Sequence, residues 1–278
     1  MESYLKNKKG LILGALDEHS LAWHVALRCK AAGATLVLSN TEIALRLGTV
    51  ASLAEENGMP VITADLTNMD DVRHLISEAQ VLLGGKIDFI LHSVAQSQNL
   101  RRHKSYAEAN YTYYMQTLDV SAISLHKLLQ TCYEQDALAP FGSVVALTYL
   151  ASERFQEGYN DMADAKALLE SIARNWGGIY GQRNGVRVNT VSQSPVATRA
   201  EEQFEFVHHF HEYTEQMAPL GRADADDLAD LCVTLFSDMT RKITMQTIMH
   251  DGGFSQTLLS NKGINHLFKL KNERPMGY

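Results

Sequence analysis

The chain has 278 residues, 45% of them hydrophobic and 21% charged, with only five prolines, so it can bury a sizeable core and does not have the composition of a disordered segment. A formal charge of −7 and a pI of about 5.9 exclude a general nucleic-acid-binding surface. Cys29, Cys132 and Cys232 form no CxxC pair or zinc spacing, which excludes a disulfide framework and points to reduced thiols in the cytoplasm.

The polar start Met1–Lys9 leads into the run Gly10–Leu16, which Asp17 and Glu18 end too early for a signal peptide. No apolar run reaches the roughly 18 residues that a membrane helix needs. Short apolar runs then alternate with amphipathic stretches. Strands are predicted at Gly10–Gly14, Thr35–Ser39, Pro60–Asp65 and Ile87–His92, with helices over 21–32, 43–56 and 72–83 between them. A long helix follows over 113–132, then a fifth strand at Ser143–Leu147 and a helix from about Asn160 toward Gln182. Strands at Val186–Val191 and Thr247–His250 complete the series. Strand, helix, strand, repeated, predicts an α/β fold: a single doubly wound Rossmann-type domain over 1–259, with a seven-stranded parallel sheet, helices on both faces, and a tail over 260–278.

Ligands of such folds bind at the carboxyl ends of the strands. In the first turn Gly14 suits a tight bend, while Ser20 and Leu21 stand where helix 1 should offer unpaired N–H groups to a phosphate. Strand 2 ends at Asn40, with neither an acid for a ribose 2′-OH nor an adjacent Arg for a 2′-phosphate, so charge alone leaves NADH and NADPH both open. Asp65 and Leu66 end strand 3 where an adenine would lie, and Ser93 and Val94 end strand 4 beside the expected ribose.

Tyr149 follows strand 5, Tyr159 comes ten residues later and Lys166 seven after that. If the helix begins near Asn160, that separation of seven places Tyr159 and Lys166 on one face. A nearby ammonium favours the ionised phenol and so makes it a better proton donor.

The ordered set Gly14-x5-Ser20-x-Ala22, His92-Ser93-Val94, Tyr149-x9-Tyr159-x6-Lys166, Asn189-x5-Pro195-Val196-x-Thr198 and Asp251-Gly252-Gly253-Phe254 resembles the divergent short-chain dehydrogenases that act as enoyl-acyl-carrier-protein reductases. The resemblance spans roughly residues 8 to 258. It implies NADH-dependent reduction of a trans-2-enoyl thioester in fatty-acid synthesis, with an acyl-carrier-protein or CoA thioester as substrate and a homotetrameric assembly. By the same resemblance Tyr159 donates to the enolate oxygen, Lys166 holds the nicotinamide ribose, Tyr149 lines the thioester pocket, and Val196 and Thr198 contact the nicotinamide side. The alternatives are a reductase of another enoyl or carbonyl substrate and a dinucleotide-binding protein without turnover.

Departures from the family pattern are Gln193-Ser194 before Pro195, expected to add two side chains beside the cofactor, and Ala95 with the polar run Gln96-Ser97-Gln98. The expected substrate cover, 200–217, carries Phe204, Phe206, Val207 and Phe210 among acids and histidines. His208 and His211 share a helix face without a third metal ligand nearby, so no metal is expected. Asp224, Asp226, Asp227 and Asp230 read as the acidic first turns of a helix, and Met239, Met245 and Met249 as interface or core filler.

Overall fold

The computed structural model describes residues 3–196 and 207–266. Seven strands form one parallel sheet in the order β3-β2-β1-β4-β5-β6-β7. They are β1 (Lys9–Leu13), β2 (Thr35–Asn40), β3 (Val61–Thr63), β4 (Ile87–His92), β5 (Leu138–Thr148), β6 (Arg187–Gln193) and β7 (Thr247–His250). Their near-continuous apolar runs reflect burial on both faces. The helices are α1 (Leu21–Ala31), α2 (Glu42–Leu47), α3 (Val50–Glu56), α4 (Met69–Leu83), α5 (Gln98–Arg101), α6 (Tyr111–Leu118), α7 (Ser124–Glu134), α8 (Asn160–Asn184), α9 (Val207–Met217) and α10 (Ala225–Phe236).

One core lies between the sheet and α4, α7 and α8, where Leu75, Ile76, Leu125, Leu128 and Leu169 meet Leu11, Ile90 and Val144. The other face packs Trp23, Val25 and Ala26 of α1 and Leu228, Cys232 and Phe236 of α10 against Ile12, Phe89 and Val145. Local chemistry sets the helix ends. The Asn68 side chain accepts from the Asp70 and Asp71 N–H groups at the start of α4, and Gly84 ends it with a left-handed φ of 66°. Asp224 and Asp227 form a capping box on α10, and Asp226 adds a further acid to its first turn. Asp230 instead takes an ion pair from Arg28 at 2.6 Å.

Two predicted helices are interrupted. The expected helix over 43–56 breaks at Gly48, which is extended at φ −95°, ψ 179°. The Thr49 and Val50 N–H groups both donate to the Leu16 carbonyl there, and a Cβ on Gly48 would sit 2.2 Å from that oxygen. The loop after β1 is thus wedged into the helix and tied to it. The expected helix over 113–132 is α6 and α7 joined by a π turn at Asp119–Ile123. The Ser124 hydroxyl at its end bonds back to the Val120 carbonyl.

Candidate active site

β1 sits between β2 and β4, so the chain leaves its carboxyl end in opposite directions and a crevice opens there. Gly14 floors it with a left-handed φ of 96°; a Cβ would lie 1.9 Å from the Ser93 carbonyl oxygen, so only glycine lets these two strand ends meet. Ser20 begins α1 without capping it. Its hydroxyl donates to the Asp17 carbonyl and accepts from the Leu16 N–H, bracing the loop and leaving the first helical N–H groups, from Leu21 onward, to face the crevice.

At the next strand end the Asn40 amide donates to the Ala15 carbonyl at 2.8 Å and its oxygen accepts from the Thr41 N–H. Asp65 is exposed, and one of its oxygens accepts from both the N–H and the hydroxyl of Thr67. Leu66 is buried beside it. Ser93 and Val94 are half-buried at the end of β4, with Val94 packed on the core. Gly14, Ser20, Leu21, Asn40, Asp65, Leu66, Ser93 and Val94 therefore line one continuous edge of the sheet. Its helix terminus and close backbone approach suit a dinucleotide pyrophosphate.

The second half of the site hangs from β5. Tyr149 follows the strand, and its ring lies 5.0 Å from that of Tyr159, tilted by 46°. Tyr159 occupies the N-cap of α8 rather than its first turn. Asn160 takes a left-handed φ of 47°, a conformation that Asn tolerates better than most residues, and this swings Tyr159 toward Tyr149. Lys166 is buried two turns along, and its Nζ donates to the Leu147 carbonyl at 2.8 Å. That bond brings the ammonium to within two residues of Tyr149 and leaves further N–H donors for a diol. Burial lowers the Lys166 pKa to about 8, partly offset by the Glu170 carboxylate one turn on. Glu170 itself accepts from Thr148 at 2.7 Å. Two phenols and a buried ammonium thus meet at one strand end, where they can donate to an oxyanion and hold a ribose.

Two further groups are fully buried beside the site. His92 ends β4 fully buried, with Nε2 2.9 Å from the Ser124 hydroxyl. Desolvation, then the Lys166 charge, lowers its pKa to about 3 and keeps it neutral. Asp161, in the first turn of α8, is fully buried. Oδ1 accepts from the Ser97 hydroxyl at 2.7 Å, and Oδ2 from the Asn99 amide at 2.7 Å and the Thr117 hydroxyl at 2.9 Å. Its burial does not show in the sequence, because its partners come from α6 and the loop after β4.

Gln193 and Ser194 do not project beside the cofactor edge as expected. The Gln193 amide donates to the Ala223 and Asp224 carbonyls at 3.1 Å, its oxygen lies 2.6 Å from His250 Nδ1, and the Ser194 hydroxyl accepts from the Ala223 N–H. The last residues of β6 alternate in direction, and these two fill the seam between β6, β7 and the start of α10. Ala95 is exposed. Val196 is half-buried, just beyond Pro195, whose carbonyl accepts from Arg222 at 2.8 Å. Thr198, Phe204 and Phe206 lie outside the described residues. On α9 the Phe210 and Tyr213 rings meet Phe254 edge-on, at 6.4 and 6.0 Å, and His211 is buried. The expected tail begins by docking on α9, where the Ser260 hydroxyl donates to the Gln216 carbonyl and His266 pairs with Glu212 at 3.5 Å.

A family model described as enoyl-(acyl carrier protein) reductase matches residues 14–255. The chain is 29% identical over 261 residues to an enoyl-[acyl-carrier-protein] reductase [NADH] of Rhizobium meliloti, covering 92% of this chain and 95% of that protein. It is 30% identical over 256 residues to the corresponding NADH enzyme of Rickettsia typhi, covering 90% and 95%. The crystal structure of a FabI-NADH complex from Alistipes finegoldii superposes with a TM-score of 0.92 at 49% identity, over 94% of this chain and 92% of that one. With the crevice, the paired tyrosines and the buried lysine in one place, these likenesses agree: the chain belongs to the enoyl-(acyl carrier protein) reductase family.

Proposed function

We propose that this protein is an NADH-dependent reductase of the trans-2 double bond of enoyl thioesters in fatty-acid biosynthesis. The observation that carries the reading is the meeting of Tyr149, Tyr159 and Lys166 at the carboxyl end of β5, beside the crevice that begins at Gly14. NADH, when bound, supplies a hydride to the β-carbon of the substrate.

Tyr159 would donate its phenolic proton to the enolate oxygen on the thioester, the point of greatest charge development; the resulting enol would become the saturated thioester by moving a proton from oxygen to its α-carbon, and solvent would restore the phenol. Lys166 holds the nicotinamide ribose and stabilises the phenolate by its positive potential. Tyr149 packs on the Tyr159 ring and forms the wall that orients the thioester. The α1 terminus at Ser20 and Leu21 receives the pyrophosphate, Asp65 and Leu66 flank the adenine, Ser93 and Val94 flank the ribose, and Val196 and Thr198 flank the nicotinamide. Asn40 presents no cation for a 2′-phosphate, in keeping with the NADH-named relatives.

The carrier protein delivers the acyl chain, and a CoA thioester can replace it. A homotetramer is supported by exposed apolar side chains on α8 and around β7, among them Ile179, Met239, Ile243 and Met245. Among the described residues no helix is long and apolar enough to cross a membrane, consistent with a cytoplasmic enzyme. The domain over 1–259 is proposed as the catalytic unit and 260–278 as a tail, of which Ser260 and His266 brace α9.

Mixing the purified protein with NADH and crotonyl or longer enoyl thioesters tests the assignment. The expected result is oxidation of NADH matched by formation of the saturated thioester; no oxidation with any enoyl thioester refutes it. Tyr159→Phe should lower kcat by on the order of 10²–10³ with NADH binding retained.

A further inference from the structure

We propose that the exposed basic segment at Arg101, Arg102 and Lys104 is the docking face for an acidic protein, the carrier that presents the thioester. The inference rests on the enoyl reductase reading above and adds to it the surface that tells a protein-borne substrate from a free one.

Charge is the first observation. The protein carries a formal charge of −7, yet three cations fall within four consecutive positions, and residues 101–104 are all exposed. The one carboxylate among residues 101–108, Glu108, accepts from the Ser105 hydroxyl at 2.7 Å and also feels the Lys104 charge, so the patch keeps a net positive charge from three cations against one acid. A local positive patch on an otherwise acidic protein repels most of its surroundings least where an acidic partner should land, and steers that partner there.

Position is the second. The segment is fixed to the catalytic helix. Asp161 grips Ser97 and Asn99, which begin α5, the short helix that ends at Arg101. The Asn160 amide donates to the Lys104 carbonyl, so the basic stretch is bonded to the residue next to Tyr159. The N–H groups of Arg102, His103 and Lys104 all donate back into residues 98–100, which holds the stretch in one conformation. The Arg102 guanidinium lies over the Tyr113 ring at 5.0 Å, which orders one of the three cations without removing its charge. A thioester whose carbonyl reaches Tyr159 must leave the protein that carries it outside the mouth, and this patch borders that mouth.

The two occupants that compete for the patch are separable. A carrier-bound and a truncated N-acetylcysteamine thioester present the same acyl chain and thioester, but only the former brings a protein surface. The experiment compares both substrates in the wild type and in the triple variant Arg101→Glu/Arg102→Glu/Lys104→Glu, at several salt concentrations. The expected result is a rise of about tenfold or more in KM for the carrier thioester, with kcat and the truncated substrate changed less than about twofold. In the wild type, KM for the carrier thioester should also climb with ionic strength, while that for the uncharged thioester stays level. An equal loss on both substrates, an unchanged KM for the carrier thioester, or a change of oligomeric mass in the variant overturns the docking assignment alone. Absence of turnover by the wild type with either substrate overturns the activity and the docking assignment with it. Should the triple variant fail to fold, the single change Lys104→Gln and the wild-type salt series decide between the same outcomes.

Discussion

Replacing Asp161 by Leu removes the acceptor on which three side chains converge. The Ser97 hydroxyl loses its carboxylate while still accepting from the Leu100 N–H, so its proton is left without a partner in a buried site. The Asn99 amide has two N–H groups and only one of them keeps an acceptor, the Asn110 carbonyl at 3.3 Å, so the other is orphaned as well, whereas the Thr117 hydroxyl keeps the Tyr113 carbonyl at 2.9 Å. Two orphaned donors cost about 1–3 kcal/mol each, and one weakened charge-assisted bond about 1 kcal/mol, giving a loss of about 3–7 kcal/mol. For a chain of this size that corresponds to a fall in Tm of roughly 6–15 °C. Asp161→Asn keeps the shape and one acceptor oxygen for Asn99 and Thr117, and its NH₂ can turn to the Ser97 oxygen, so the cost should be about 1 kcal/mol. Thermal unfolding followed by circular dichroism, alongside kcat with an enoyl thioester, measures both variants. The Leu variant should lose activity below its Tm as well, because α8, α6 and the loop after β4 no longer share a fixed point beside Tyr159. A Leu variant melting within about 2 °C of the wild type, or an Asn variant as damaged as the Leu variant, would show that these bonds do not set the position of α8.

Three further outcomes follow from the same geometry. Lys166 works protonated and burial lowers its pKa to about 8, so kcat/KM should decline on the alkaline side with an apparent pKa near that value; a profile flat to pH 10 contradicts this. Between about 8 and the usual 10.5 the unfolded chain holds a proton that the folded one has released, so this residue makes stability rise with pH over the window in which activity falls. His92 acts with the same sign in a more acidic window: its folded pKa of about 3 lies below the usual 6.5, so the unfolded chain alone takes up a proton as pH drops through that interval, and stability should decrease there. His92→Gln should flatten that part of a Tm-against-pH curve, and an unchanged slope argues against the buried imidazole as its cause. Gly14→Ala sets a Cβ 1.9 Å from the Ser93 carbonyl oxygen at a φ of 96°, and should weaken NADH binding at least tenfold in a fluorescence titration while lowering Tm; wild-type affinity would refute the close approach.

The sheet was legible because its strands are continuous apolar runs and alternate with helical periods, a pattern with one common architectural solution. What the pattern missed were features fixed by distant partners. Gly48 breaks a helix because Leu16, from the first turn, needs its carbonyl satisfied there. The π turn at Asp119–Ile123 leaves the hydrophobic period almost intact and so hides within it. At the proposed site the spacing put Tyr159 and Lys166 on one helix face and the family resemblance added Tyr149; the structure stands Tyr159 at the N-cap of α8, with its ring against that of Tyr149. Gln193 was misjudged because a sequence gives the residue but not the side of the strand on which it emerges; the seam with Asp224 and His250 decides that. Asp161 gave no signal in the sequence, since the Ser97, Asn99 and Thr117 that bind it come from other elements.

The central position of β1 has a thermodynamic consequence. The strand ends at residues 14, 40, 65, 93 and 196 lie along one edge of the sheet on both sides of the crevice, far apart in the chain. A dinucleotide lying across them acts as a removable crosslink. At a hundredfold excess over its dissociation constant it adds about 2.7 kcal/mol to the folded state. Because the ligand would touch strand ends on both sides of β1, both sides should gain protection from proteolysis and amide exchange together.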